Sequence, residues 1–169
     1  GLPKTALGEE NIEALEKGIP NLLRHVSNIK NVYHLPCVVA VNRFPTDTDK
    51  EIDFVIEKCK ELGVNVKLST VWADGGKGGE ELAKEVVRLC EEEDSSGFRF
   101  SYEDDCSIDD KLTAITQKIY RGNNVNYTAE ALKQKKQLEE MGFDKLPVCV
   151  AKTQYSFSDD MTKIGAPEN

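Results

Sequence analysis

The run Cys37-Val38-Val39-Ala40-Val41 is the feature that most limits the fold. It is valine-rich, uncharged and too short for an ordinary helix, which predicts a strand buried on both faces, as in parallel sheets. After Val41 the chemistry changes at once: Asn42, Arg43 and Phe44 precede the turn-forming Pro45-Thr46-Asp47-Thr48. In open α/β sheets, ligands bind outside the carboxyl ends of the strands, so an amide, a cation and an aromatic at such an end make a candidate site. The same residues also read as an ordinary strand-to-helix connection with Asp47 or Thr48 as the N-cap.

The flanking periodicity fixes the class. Ile12, Leu15, Ile19, Leu22, Val26 and Ile29 recur at steps of three and four, predicting an amphipathic helix over residues 9–30, kinked or broken at Gly18 and Pro20. Ile52, Val55, Ile56, Cys59 and Leu62 predict a second helix over 49–62, with Gly63 as the C′ residue that ends it. Residues 64–70 alternate as a strand and lead through Trp72 into Gly75-Gly76-Lys77-Gly78-Gly79. A third helix follows from about Glu80, with Leu82, Ala83, Val86, Val87 and Cys90 as its apolar stripe. Helix and strand in alternation give βαβ units, hence an α/β fold whose parallel sheet has flanking helices and right-handed crossovers.

Residues 91–97 are acidic and small, as a solvated connector would be. Beyond it, 107–120 and 128–141 read as helices, 146–152 as a third strand, and 153–160 as a polar and aromatic loop. Two segments result: 1–92, an α/β part carrying the site loops, and 93–169, a helical connector region plus a further, incomplete strand region. In one parallel sheet the three strand-end loops, 42–48, 70–79 and 152–160, open on the same edge. The chain starts without methionine and stops without a finished element, as a piece of something longer does.

Charge narrows the partners. Lys and Arg number 22 against 30 Asp and Glu, a formal charge of −8, which argues against a general nucleic-acid surface and against an anionic membrane. An anionic small molecule held locally by Arg43, Lys77 or backbone amides remains compatible. The five cysteines (Cys37, Cys59, Cys90, Cys106 and Cys149) show no CxxC spacing. With Cys37 and Cys149 in strands and Cys59 and Cys90 on apolar helix faces, they read as free buried thiols in a reducing cytosol. His25 and His34 lack partners at ligand spacing, so no zinc site is expected. No signal peptide or membrane-spanning run is present.

The carboxamide of Asn42 offers donors and an acceptor together, which suits the edge of a purine or pterin. Phe44, and Trp72 at the end of the next strand, could sandwich a flat heterocycle, each stacked pair contributing about 0.5–1.5 kcal/mol beyond burial. Trp72 reads equally well as a core or lid residue under the glycine loop. That loop could bind an anion through its amides, but it is no Walker A, and Glu80 and Glu81 at the helix start disfavour phosphate. A flexible loop flanking Trp72 is the better reading. No Ser-His-Asp or Cys-His arrangement and no distinct carboxylate pair is found.

These residues carry a resemblance to the formate–tetrahydrofolate ligase family, also called 10-formyltetrahydrofolate synthetase, in its single-function bacterial form. It rests on Leu7-Gly8-Glu9-Glu10-Asn11 with Glu16-Lys17-Gly18, on Val39-Ala40-Val41-Asn42-Arg43-Phe44-Pro45-Thr46-Asp47-Thr48, and on Trp72-Ala73 with the glycine loop. Gln117-Lys118-Ile119-Tyr120, Gly142-Phe143-Asp144-Lys145-Leu146-Pro147 and Ala151-Lys152-Thr153-Gln154-Tyr155-Ser156-Phe157-Ser158 extend it end to end. The resemblance implies a P-loop-NTPase-like core and the ATP-dependent joining of formate to tetrahydrofolate through formyl phosphate. It further implies Mg²⁺ and a monovalent cation (K⁺ or NH₄⁺) as cofactors, and a cytoplasmic homotetramer. Phe44 and Trp72 then flank the folate ring, while Asn42, Pro45 and Leu68 line the folate and nucleotide pocket.

The family's phosphate-binding loop, and the lysine and arginine that handle formyl phosphate, precede the matched segment, so no catalytic or metal-binding residue is implied in it. The expectation is a C-terminal-half piece that carries one wall of the active site and is inactive alone. The alternatives are a stand-alone folate or nucleotide module and an assembly domain docking through the acidic helices of 107–141.

Overall fold

Val38–Asn42 (β1) and Asn65–Ser69 (β2) run parallel, Val38 opposite Asn65 and Asn42 opposite Ser69. They form a two-stranded sheet in the computed structural model, which describes residues 3, 6–151, 157–160, 162–163 and 165–167. The chain divides into two units, Gly1–Phe98 and Arg99–Asn169.

In the first unit, Ile12–Ser27 (α1) precedes β1 and Asp49–Glu61 (α2) connects the strands. Asn11 starts α1 by accepting the Ala14 amide on its side chain. The helix runs through Gly18 and Pro20 without the expected break, then winds more loosely over Asn28–Val32. α2 begins at Thr48, one of the two expected N-caps, and ends at the expected Gly63. Thr48 and Glu51 form a reciprocal capping box at its start. At its end, Gly63 takes φ +63° while the amides of Gly63 and Val64 return to Lys60 and Cys59.

Val26, Val39, Cys59 and Val64 form the core, with Leu22, Cys37, Val41, Val55 and Val66 packed against it. A fully buried Val or Ile contributes about 1.5–3 kcal/mol relative to exposure, which accounts for α1 and α2 lying on the Val39 face of the sheet. The other face differs from expectation. β1 is not buried on both sides, because Ala40 is exposed.

After β2 come one short helical turn, Val71–Asp74 (α3), a 3₁₀ turn over Gly75–Gly79, and Glu80–Glu92 (α4). The predicted apolar stripe of α4 is not its buried side: Val86 and Val87 are 44% and 54% exposed, whereas Glu85 is 7% exposed. Asn65 explains the rotation, since its side-chain amide donates to Glu85 Oε1 at 2.8 Å and anchors the helix to β2 through a polar pair. Cys90 is exposed in consequence. Cys59 is buried and Cys37 half-buried, and burial pushes both thiols up.

In the second unit, Ile108–Ile115 (α5) starts at a Ser107–Asp110 capping box. It widens over Thr116–Tyr120 and stops at Arg121, which is left-handed at φ +61°. Ala129–Glu140 (α6) is capped by Thr128. Asp109 joins the two helices, accepting from Tyr127 Oη at 2.6 Å and Lys135 Nζ at 2.7 Å. Residues 146–151 do not form the expected strand. Pro147 has no N–H to give a ladder, and side chains occupy the neighbouring backbone. Fully buried Lys111 donates to the carbonyls of Asp144 and Leu146, and Tyr102 Oη bonds both the amide and the carbonyl of Val148. Cys149 is therefore neither in a strand nor buried. Residues 152–156 of the third predicted loop lie outside the described residues.

Candidate functional site

The two strands end together. Asn42 pairs with Ser69, and the Arg43 amide donates to the Ser69 carbonyl at 3.0 Å, so the loops after β1 and β2 leave the sheet side by side. The first is a tight turn: the Phe44 amide donates to Asp47 Oδ2 at 2.8 Å, and the Asp47 amide returns to the Phe44 carbonyl at 3.0 Å. Pro45 occupies the position whose backbone angle proline pre-sets. Asn42, Phe44 and Pro45 are all exposed on this edge.

Trp72, on α3, turns its ring to Phe44. The centroids are 6.4 Å apart and the planes 53° from parallel. Phe44 is 48% and Trp72 69% exposed, so neither is a core residue. A flat ring stacked between two others needs about 7 Å, two carbon contacts of about 3.5 Å. The aromatics therefore touch each other, and a heterocycle enters between them only when one ring swings aside. Exposed side chains make such rotamer changes within nanoseconds.

The glycine loop is wound rather than loose. The Thr70 amide donates to the Gly78 carbonyl at 3.0 Å and the Thr70 hydroxyl to Asp74 Oδ2 at 2.7 Å. Gly75 and Glu80 spend their amides on the carbonyls of Val71 and Lys77, so the loop does not splay donors toward an anion. Beside it lies a cleft of about 530 Å³ lined by Leu68, Thr70, Asp74, Lys77, Gly78 and Glu81. Leu68 thus belongs to this cleft, whereas Asn42, Phe44, Pro45 and Trp72 are absent from its lining. The Lys77 ammonium has no partner among the described residues. Glu80 and Glu81 both pair with Lys84, which holds the Glu81 carboxyl below its usual range.

Two acidic side chains of the first loop region were not legible as site features. Asp49 Oδ1 accepts from Arg43 Nη2 at 2.6 Å, and Glu51 ties the loop to α1. The N-cap signal at Asp47 or Thr48 did not extend to Glu51, whose bond to Asn11 joins residues forty apart in the chain. Among the described residues no group of three or more His, Cys, Asp or Glu side chains gathers to hold a metal. No described helix is long and apolar enough to cross a membrane.

The family model for formate–tetrahydrofolate ligase matches residues 1–169, the whole of this sequence.

Proposed function

Because the chain belongs to the formate–tetrahydrofolate ligase family, we propose that its strand-end edge forms one wall of a folate site. Phe44 and Trp72 grip the reduced pterin ring, and Asn42, Pro45 and Leu68 line the adjoining folate and nucleotide pocket. The single observation that carries this reading is the convergence of the two exposed rings, 6.4 Å apart on neighbouring loops of a parallel sheet. The segment 1–92 supplies these loops, within a P-loop-NTPase-like core, and 93–169 is a helical connector region.

The reaction proposed for the whole protein has two balanced steps. A formate oxygen takes the terminal phosphoryl group of ATP, giving formyl phosphate and ADP. The amine N10 of tetrahydrofolate then attacks the formyl carbon, phosphate leaves, and 10-formyltetrahydrofolate results after loss of the amine proton. This chain orients the acceptor: the aromatics hold the ring by stacking, which leaves N10 free to attack. Among the described residues no three His, Cys, Asp or Glu side chains gather as a ligand set for Mg²⁺. No residue of this chain is assigned to phosphoryl handling, so the 169 residues alone do not catalyse the ligation. The active protein is a cytoplasmic homotetramer in this reading.

Titration of Trp72 fluorescence with tetrahydrofolate tests the site. Saturable quenching is expected, weakened about tenfold or more in Phe44→Ala. Absence of quenching in a chain shown folded by circular dichroism would overturn the proposal, and formation of 10-formyltetrahydrofolate by the chain alone would refute its inactivity. A second reading, as an assembly surface, draws support from the exposed Leu132, Leu138 and Met141 on and just after α6. Concentration-dependent self-association without folate binding would favour it.

A further inference from the structure

We propose that Arg43 reads a carboxylate-bearing tail on the ligand that Phe44 stacks, exchanging its partner Asp49 for that tail. This rests on the folate reading of the Phe44–Trp72 edge. Backbone pairing with Ser69 fixes where Arg43 leaves the sheet. Its guanidinium is drawn toward the first turn of α2, six residues on. Only one bond holds it there, from Nη2 to Asp49 Oδ1 at 2.6 Å, and its other guanidinium hydrogens have no partner among the described residues. A guanidinium presents paired donors suited to a carboxylate held by both oxygens.

The neighbouring acids are committed differently. Asp47 is tied to the Phe44 amide, and Glu51 to the amides of Thr48 and Asn11. Among the described residues Asp49 alone pairs with the guanidinium, and at 82% exposure it returns to water readily when released. Tetrahydrofolate matches this layout, because its two glutamyl carboxylates sit at the end of a spacer rather than on the ring. Arg43 directly precedes Phe44 in the chain, and its guanidinium reaches the first turn of α2. In a chain of net charge −8, such a fixed local cation offsets the repulsion that an anionic substrate meets.

The experiment titrates the 169-residue chain with tetrahydrofolate and with its diamide, in which both glutamyl carboxylates are amidated. Arg43→Gln should weaken tetrahydrofolate binding about tenfold and leave the diamide within twofold. Asp49→Asn should tighten tetrahydrofolate a few-fold, the competitor being gone, and leave the diamide unchanged. Phe44→Ala should weaken both ligands alike. Equal affinities of Arg43→Gln and the unaltered chain for tetrahydrofolate, or an equal loss for both ligands, overturns the tail assignment while the folate site stands. Failure of the unaltered, folded chain to bind either ligand overturns the folate site and this inference with it.

Discussion

The carboxylate of Glu51 accepts the backbone amide of Asn11, forty residues earlier, at 2.9 Å. Its second oxygen accepts the Thr48 amide at 3.2 Å, so one side chain joins the N-cap residues of α1 and α2. Thr48 directly follows the turn that presents Phe44. Replacing Glu51 by Ala removes half of a capping box and one long-range bond. Losing such a cap costs about 0.5–2 kcal/mol, and an ordinary hydrogen bond about 0.5–1.5 kcal/mol. Glu51→Ala should lower the stability of the first unit by about 1–3 kcal/mol, and Glu51→Gln by less, since the amide oxygen still accepts one bond. Urea unfolding followed by far-UV circular dichroism measures it, and an unchanged midpoint in Glu51→Ala would show that the bond carries no weight.

Gly78 is confined by Thr70. A Cβ there would lie 2.5 Å from the Thr70 carbonyl carbon and 2.7 Å from its oxygen. Both atoms are backbone, so relief requires the loop to move and the Thr70 amide to lose its 3.0 Å bond to the Gly78 carbonyl. Overpacking of this kind costs about 1–3 kcal/mol. Gly76→Ala, by contrast, meets nothing within 4 Å and should be nearly neutral. Amide hydrogen exchange at Thr70 should speed at least tenfold in Gly78→Ala and stay unchanged in Gly76→Ala. Equal rates in the two variants would mean that the loop is not closed on Thr70.

Local signals were legible in the sequence and non-local ones were not. The start of α2 could be read to within one residue because a Thr or Asp side chain caps a helix locally, Thr48 being the one that does so, and its end because only glycine sits easily at the φ of +63° found at Gly63. The side-by-side loops after β1 and β2 followed from the alternation of helix and strand. The run from Leu146 opens on Leu-Pro and is rich in Val and Cys like the one from Leu35, yet among the described residues only the earlier run gained a partner strand. Lys111 and Tyr102 claimed the backbone of the later one, and neither is visible from that run. The stripe on α4 told which residues were alike, not which face would be covered. The tilt between Phe44 and Trp72 and the bond from Arg43 to Asp49 depend on rotamers, which no pattern encodes.

Glu85 makes that last distinction measurable. The guanidinium of Arg88 first, and the amide of Asn65 second, hold its carboxyl down to about 2 from an ordinary 4.5. A carboxylate depressed on folding favours the native state above its unfolded pKa, where the contribution is complete. As pH falls through 4.5 the unfolded chain takes up the proton and the folded chain does not, so stability drops, and the contribution is gone below about 2. Glu85→Gln keeps the shape of the side chain and an acceptor for Asn65 but cannot titrate. Its urea midpoint should therefore fall less steeply than that of the unaltered chain between pH 4.5 and 2. Some slope should persist, because Lys84 and Lys135 also depress Glu81 and Asp109. Parallel acid limbs in the two proteins would show that the Asn65–Glu85–Arg88 cluster does not anchor α4 to the sheet through charge, and that packing alone sets the helix with Val86 and Val87 outward.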